Sequence, residues 1–156
     1  ILFQRVETHG QLLFNHMQSW GPNRKIFFIH GGVDNDVREE VRRIVEKESN
    51  AIIVASYGTF STGINIRNLH NVVFASPSKS RIRNLQSIGR GLRIGDAKDS
   101  ATLLDIADDL RVITKGPTNF TYRHMEDRLK IYIEEKFPYK LYPIDLPGVT
   151  PTKVFS

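Results

Sequence analysis

Cysteine is absent from the 156-residue chain, which excludes disulfides and thiolate metal sites and fits a reducing compartment. No apolar run approaches the roughly 20 residues a helical bilayer span needs, and the first residues show no secretory signal pattern. The phosphate-binding pattern G-x-x-x-x-G-K-[ST] occurs nowhere, and neither does H-E-x-x-H. The five histidines (His9, His16, His30, His70 and His124) are scattered, so no metal site is expected, and no nucleophile elbow or paired carboxylates stand out. Acidic residues are also in deficit, 17 against 22 Lys and Arg, for a formal charge of +5 and a pI near 9.6. That balance favours an acidic partner, nucleic acid first and an anionic membrane surface second.

What is present is 40% hydrophobic, enough for one domain with a real core. The opening "ILFQ" lacks Met and resembles the inside of a buried strand, so the chain is expected to be a piece of a longer protein. Short, nearly continuous apolar runs read as strands at 1–3, 25–29, 51–55, 71–75 and 101–107. Helical patterns alternate with them. Thr8 and Gln11 form a T-x-x-Q capping box ahead of a stripe of Leu12, Leu13, Met17 and Trp20, which "GPN" terminates. Asp34 or Asp36 caps a second helix, with Val37, Val41, Ile44 and Val45 on its apolar side and a Glu39–Arg43 pair outside. A further helix covers about 80–90. Such alternation predicts an α/β fold: a three-layer, open, mainly parallel sheet over residues 1–108. Beyond it come a loop, capped by Thr118 or Asn119, and a helix bearing Met125, Leu129 and Ile133, together spanning 109–137. The proline-rich tail 138–156 is expected to give at most one short edge strand.

Ligands of open parallel sheets collect at the carboxyl ends of the strands. Three segments leave such ends: "HGG" at 30–32, "SYGTFSTGIN" at 56–65, and the basic run leading to "QSIGRGLR" at 86–93. Between Lys79 and Arg93 stand five cations and no carboxylate. Read as a helix, the last segment places Arg83, Gln86 and Arg90 on one face with Arg93 next, and Ile82, Leu85, Ile88 and Leu92 on another. Gly89 and Gly91 each cost about 1 kcal/mol within a helix, which makes sense if a partner approaches the backbone there. A guanidinium so placed can grip a phosphate bidentately; a solvated basic face explains the same pattern equally well. In "SYGTFSTGIN" the hydroxyls of Ser56, Thr59, Ser61 and Thr62, with Gly58 and Gly63, suit sugar–phosphate contacts, but they suit an ordinary connection too.

Taken together, these segments resemble a known family. "QSIGRGLR" matches Q-x-x-G-R-x-x-R, motif VI of superfamily 2 helicases. "STGIN" at 61–65 is similar to motif V, "LFQRVETHGQLL" at 2–13 to motif IV, and "HGG" with Arg38 to the segment called IVa. All come in the family's order and spacing, and the wording of "YGTFSTGINI" with "RLKIY" is most similar to phage UvsW-type recombination DNA helicases. The resemblance implies the second RecA-like domain of a two-domain ATP-driven motor. Arg90 and Arg93 would then be arginine fingers, and Gln86, Gly63 and Asn65 would line the nucleotide cleft or couple it to DNA. Arg5, Gly31, Ser56 and Thr59 would lie on the nucleic-acid track, with Tyr57 the rival to Ser56 because the loop is one residue longer than in many relatives. ATP and Mg2+ would be held mainly by an N-terminal RecA-like domain of the same polypeptide, so this chain alone should hydrolyse nothing. The setting implied is cytoplasmic, that of the host if phage-encoded. An RNA helicase half, a non-enzymatic nucleic-acid-binding module or a protein-docking module of the same fold are the alternatives.

Overall fold

The computed structural model describes residues 1–21, 23–63, 66, 69–76, 80, 101–109 and 119–144. The shortest strand is the central one. Leu2 and Phe3 (β1) are almost wholly buried and sit between two neighbours. The Ile1 carbonyl accepts from Ala55 N at 2.9 Å and the Leu2 carbonyl from Ala75 N at 3.0 Å. Around β1 run Lys25–Ile29 (β2), Ala51–Ser56 (β3), Asn71–Phe74 (β4) and Thr102–Asp105 (β5), in the order β2-β3-β1-β4-β5, every pair parallel. A parallel sheet must be covered on both faces, and the pleat decides which residue goes where. Leu2, Ile29, Ile53, Ala55, Val72 and Phe74 join one core cluster with Val41 and Val45 of helix Asn35–Lys47 (α2). On the opposite face Phe3 and Phe14 both stack on Phe28, with ring centroids 5.5 and 5.2 Å apart. Phe14 comes from helix Gln11–Trp20 (α1). The α/β reading holds, with all five strands near their expected positions.

Several local expectations do not hold. Residues Val6–Gly10 form a π-helical turn running straight into α1, so Thr8 lies inside helical backbone and caps nothing. Gln11 instead donates to Asn15 Oδ1 at 3.0 Å. The α1 stripe is only half right: Leu13 and Met17 are half-buried, but Leu12 is 55% and Trp20 79% exposed, and Phe14, absent from that stripe, is the residue facing Phe28. In α2 Asp34 holds the N-cap position without a side-chain bond, and Val37 is exposed. Glu39 pairs with Arg42 at 2.9 Å and not with Arg43, which approaches Glu40 at 4.0 Å. The segment after β3 is not a loop. Tyr57–Gly63 is a helix (α3), because Tyr57 and Phe60 are buried and fix its inner side.

The last helix, Phe120–Glu134 (α4), is capped by Asn119, whose Oδ1 accepts from Tyr122 N at 2.8 Å. Its inner face is Arg128, Ile131 and Tyr132, whereas Ile133 is 59% exposed. Of the expected stripe, Leu129 packs against the core and Met125 is half-buried, but the deepest member of the face, Arg128, is charged and escapes an apolar pattern. Residues 138–144 carry no strand. The expected helix over 80–90 and the cap at Thr118 lie outside the described residues.

Candidate functional site

The carboxyl ends of the strands form one rim, and the register aligns them. Phe3 pairs with Ser56, Ile29 with Ala55, and Phe74 with both Leu2 and Asp105. Arg5, two residues beyond β1, is exposed, and its carbonyl accepts from Gly10 N at 2.9 Å and His9 N at 3.3 Å, closing the π turn. Gly31, two residues beyond β2, is exposed and has open space where a Cβ would point. Its carbonyl accepts from Arg38 Nη2 at 2.9 Å, and the His30 carbonyl accepts from Val33 N at 3.0 Å. Arg38 therefore braces the turn from the first part of α2. His30 packs its ring on Phe28 and accepts from Gly32 N at 3.1 Å through Nδ1, the role of a strand-end packing residue.

Ser56 ends β3 and caps α3. Its Oγ lies 2.8 Å from Thr59 Oγ1 and accepts from Thr59 N at 3.4 Å. Ser56 is half-buried, while Thr59 is 5% and Tyr57 1% exposed. Of the two rivals for one place on the rim, the tyrosine is turned inward, its hydroxyl donating to the Ser76 carbonyl at 3.0 Å. Arg5, Gly31, Ser56 and Thr59 thus share the rim over the adjacent strands β2, β3 and β1, and Gly63 closes α3. Gln86, Arg90, Arg93 and Asn65 lie outside the described residues.

Two features of the rim escaped the sequence reading. Ser76, just past β4, is 4% exposed and joins three segments. Its Oγ accepts from Gln4 N at 3.3 Å and lies 2.8 Å from His9 Nδ1, while its carbonyl takes the Tyr57 hydroxyl. Beside it opens a cleft of about 470 Å³ lined by Thr8, His9, Leu13, Ser76, Asp108 and Thr121, among others. The second feature is charged. Arg128, fully buried, grips Asp105 at the end of β5 bidentately, with Nε–Oδ2 and Nη2–Oδ1 both 2.7 Å, and Tyr132 donates to Oδ2 at 2.7 Å. Burial pulls the Arg128 pKa down, but the hydrogen bonds and charge of Asp105 outweigh it and leave it above its ordinary value. Burial, then the charge of Asp105 and the hydrogen bond to it, push the Tyr132 hydroxyl up. Only the acid of "LLDIA" and the arginine of "EDRLKI" hinted at this pair, and nothing in their spacing joins them. Among the described residues no group of three or more His, Asp or Glu side chains could hold a metal ion, and no helix is long and apolar enough to cross a membrane.

Comparison with known proteins agrees with this geometry. The model of the helicase conserved C-terminal domain matches residues 1–95. The chain is 36% identical over 154 residues to the ATP-dependent DNA helicase UvsW of Enterobacteria phage T4, covering 94% of this chain but 30% of that protein. The crystal structure of T4 UvsW superposes with a TM-score of 0.67 over 86% of this chain and 28% of that one. The C-terminal part of the Fun30 ATPase domain, 15% identical, superposes with a TM-score of 0.58 over 85% of this chain and 48% of that one, a likeness of fold. The chain therefore spans less than a third of the phage relative it matches.

Proposed function

Because the chain belongs to the family of helicase conserved C-terminal domains, we propose that it is the second motor half of an ATP-dependent DNA helicase or translocase of the UvsW kind, acting in recombination, branch migration or fork remodelling. The observation that carries the reading is the rim. Four residues expected on a nucleic-acid track emerge from adjacent strand ends, and they offer what a phosphate backbone needs: an exposed guanidinium at Arg5, open backbone at Gly31 and a hydroxyl at Ser56. Thr59 acts on the same rim through Ser56, holding its Oγ.

In this reading ATP and Mg2+ are held mainly by the companion N-terminal domain, and Arg90 and Arg93 reach across to the γ-phosphate. Gln86 lines the cleft, and Gly63 and Asn65 connect it to the DNA track. No carboxylate stands between Lys79 and Arg93, which supports a nucleotide as the counter-ion of these arginines. Hydrolysis and phosphate loss remove that partner, the cleft opens, and the rim shifts along DNA. The core motor unit spans 1–108, with 109–137 packed on it and 138–156 a tail. Within the full-length protein, Arg90→Ala and Arg93→Ala are each expected to lower ATP turnover by about 10³–10⁵-fold while DNA affinity is largely kept. Near-normal turnover in either variant removes its finger assignment.

A further inference from the structure

We infer that Ser76 is a positioning residue that couples the DNA-facing rim to the arginine segment, through its bonds to Gln4, His9 and Tyr57; this deepens the motor reading and rests on it. Three segments assigned to DNA or to the nucleotide meet at this one residue. Gln4 precedes Arg5. His9 belongs to the π turn that the Arg5 carbonyl closes. Tyr57 opens α3, directly after Ser56 and two residues before Thr59. Ser76 itself stands where the chain leaves β4 towards Lys79, Arg90 and Arg93. A displacement of Arg5 or of α3 is thus transmitted at short range to the base of the segment that carries the proposed fingers.

The bonds name the parts. Gln4 N–H donates to Ser76 Oγ, and the same oxygen lies 2.8 Å from His9 Nδ1, a contact in which either atom can be the donor. Tyr57 holds the same residue from the other side through its carbonyl at 3.0 Å, and its ring packs on Phe74, 5.4 Å between centroids. Both Ser76 and Tyr57 are nearly solvent-free, 4% and 1% exposed. The Tyr57 bond is buried, whereas the bonds to Gln4 and His9 are partly buried beside the cleft. Gly10, the last residue of the π turn, lies so close to the Phe3 ring that a Cβ would stand 2.5 Å from Cε2. The turn is therefore seated on β1. π turns recur at functional sites, where they re-aim the residues around them.

The test uses the full-length protein and compares ATP turnover with and without DNA for Ser76→Ala, His9→Ala and Tyr57→Phe. We expect each to lower the DNA-stimulated rate by roughly tenfold, the weight of one buried hydrogen bond, with the DNA-free rate, the KM for ATP and DNA affinity unchanged. The Ser76→Ala, Tyr57→Phe double variant should fall no further than about either single one, because both break one linkage. His9→Asn, whose amide reaches the place of Nδ1, should restore the stimulation that His9→Ala loses. A merely structural role would lower the melting temperature and leave the ratio of the two rates intact; that result in all three variants overturns the inference. Arg90→Ala run alongside separates the two levels. If it abolishes turnover while the junction variants keep full stimulation, the coupling fails and the motor reading stands. If Arg90→Ala turns over ATP normally, both fail together.

Discussion

Across the sheet, the rim over β2, β3 and β1 and the edge at β5 are built from different chemistry. On the first side the strand ends deliver small or exposed groups: the Gly31 backbone, the Ser56 hydroxyl, the Arg5 guanidinium. The Gly31 carbonyl and the Ser56 hydroxyl are held by local bonds, and the Arg5 side chain is exposed. At β5 the strand ends in a carboxylate that is taken up by a fully buried arginine and a tyrosine from α4. The first arrangement suits a surface that meets a changing partner. The second suits an anchor, since a desolvated bidentate pair tolerates no loss of either member. A guanidinium therefore has two settings among the described residues: Arg128 is buried against its own carboxylate, and Arg5 is exposed.

The sharpest way to break that contrast is at the anchor. Asp105→Ala leaves the Arg128 charge in the core without its bidentate acceptor, and is expected to destabilise the domain by about 3–5 kcal/mol in denaturant titration. A loss below about 1 kcal/mol would show that the β5 edge is no more fixed than the rim. On the rim side the largest effect is expected from Gly10→Ala, where the new methyl meets the ring of fully buried Phe3. Overpacking of this kind costs about 1–3 kcal/mol. If the variant melts like the wild type, the π turn is not seated on β1 as described.

Tyr132 gives a smaller, pH-dependent signal. Burial first, then Asp105, raises its pKa above the ordinary 10.0, so the folded state binds this proton more tightly than the unfolded state. The stability so contributed is whole below pH 10 and is lost as pH climbs above it. Tyr132→Phe, compared with wild type in melts from about pH 9 to 12, should therefore decline less steeply over the alkaline part of the range. Parallel curves would mean that the hydroxyl titrates as though unfolded.

Legibility from sequence followed the same divide. Strand positions were readable because a parallel strand buried on both faces must be apolar throughout, as in "KIFFI" and "AIIVA". The helices were harder. On α1 the apolar residues outnumber the places facing the sheet, so Leu12 and Trp20 counted towards a stripe that Phe14 fills. In α4 the reverse applies: the deepest position holds an arginine, which any hydropathy pattern assigns to solvent. Thr8 offered a cap by local spelling, but the chain enters α1 through a π turn, where the Gln11 N–H that Thr8 would cap is given to the Val6 carbonyl. Among the site residues, Arg5, Gly31, Ser56 and Thr59 stand at neighbouring strand ends, and their place on a nucleic-acid track is a proposal. Ser76 was unreadable because its importance lies in three contacts far apart in the chain.

The central claim is that this chain completes an ATP site whose other half lies in a companion domain. The direct measurement is ATP turnover, with and without DNA, by the companion half expressed alone and by the same half joined to this chain on one polypeptide. DNA-stimulated turnover should appear only in the joined form and vanish on Arg90→Ala. Full DNA-stimulated turnover by the companion half alone, or no gain on joining, would contradict the account.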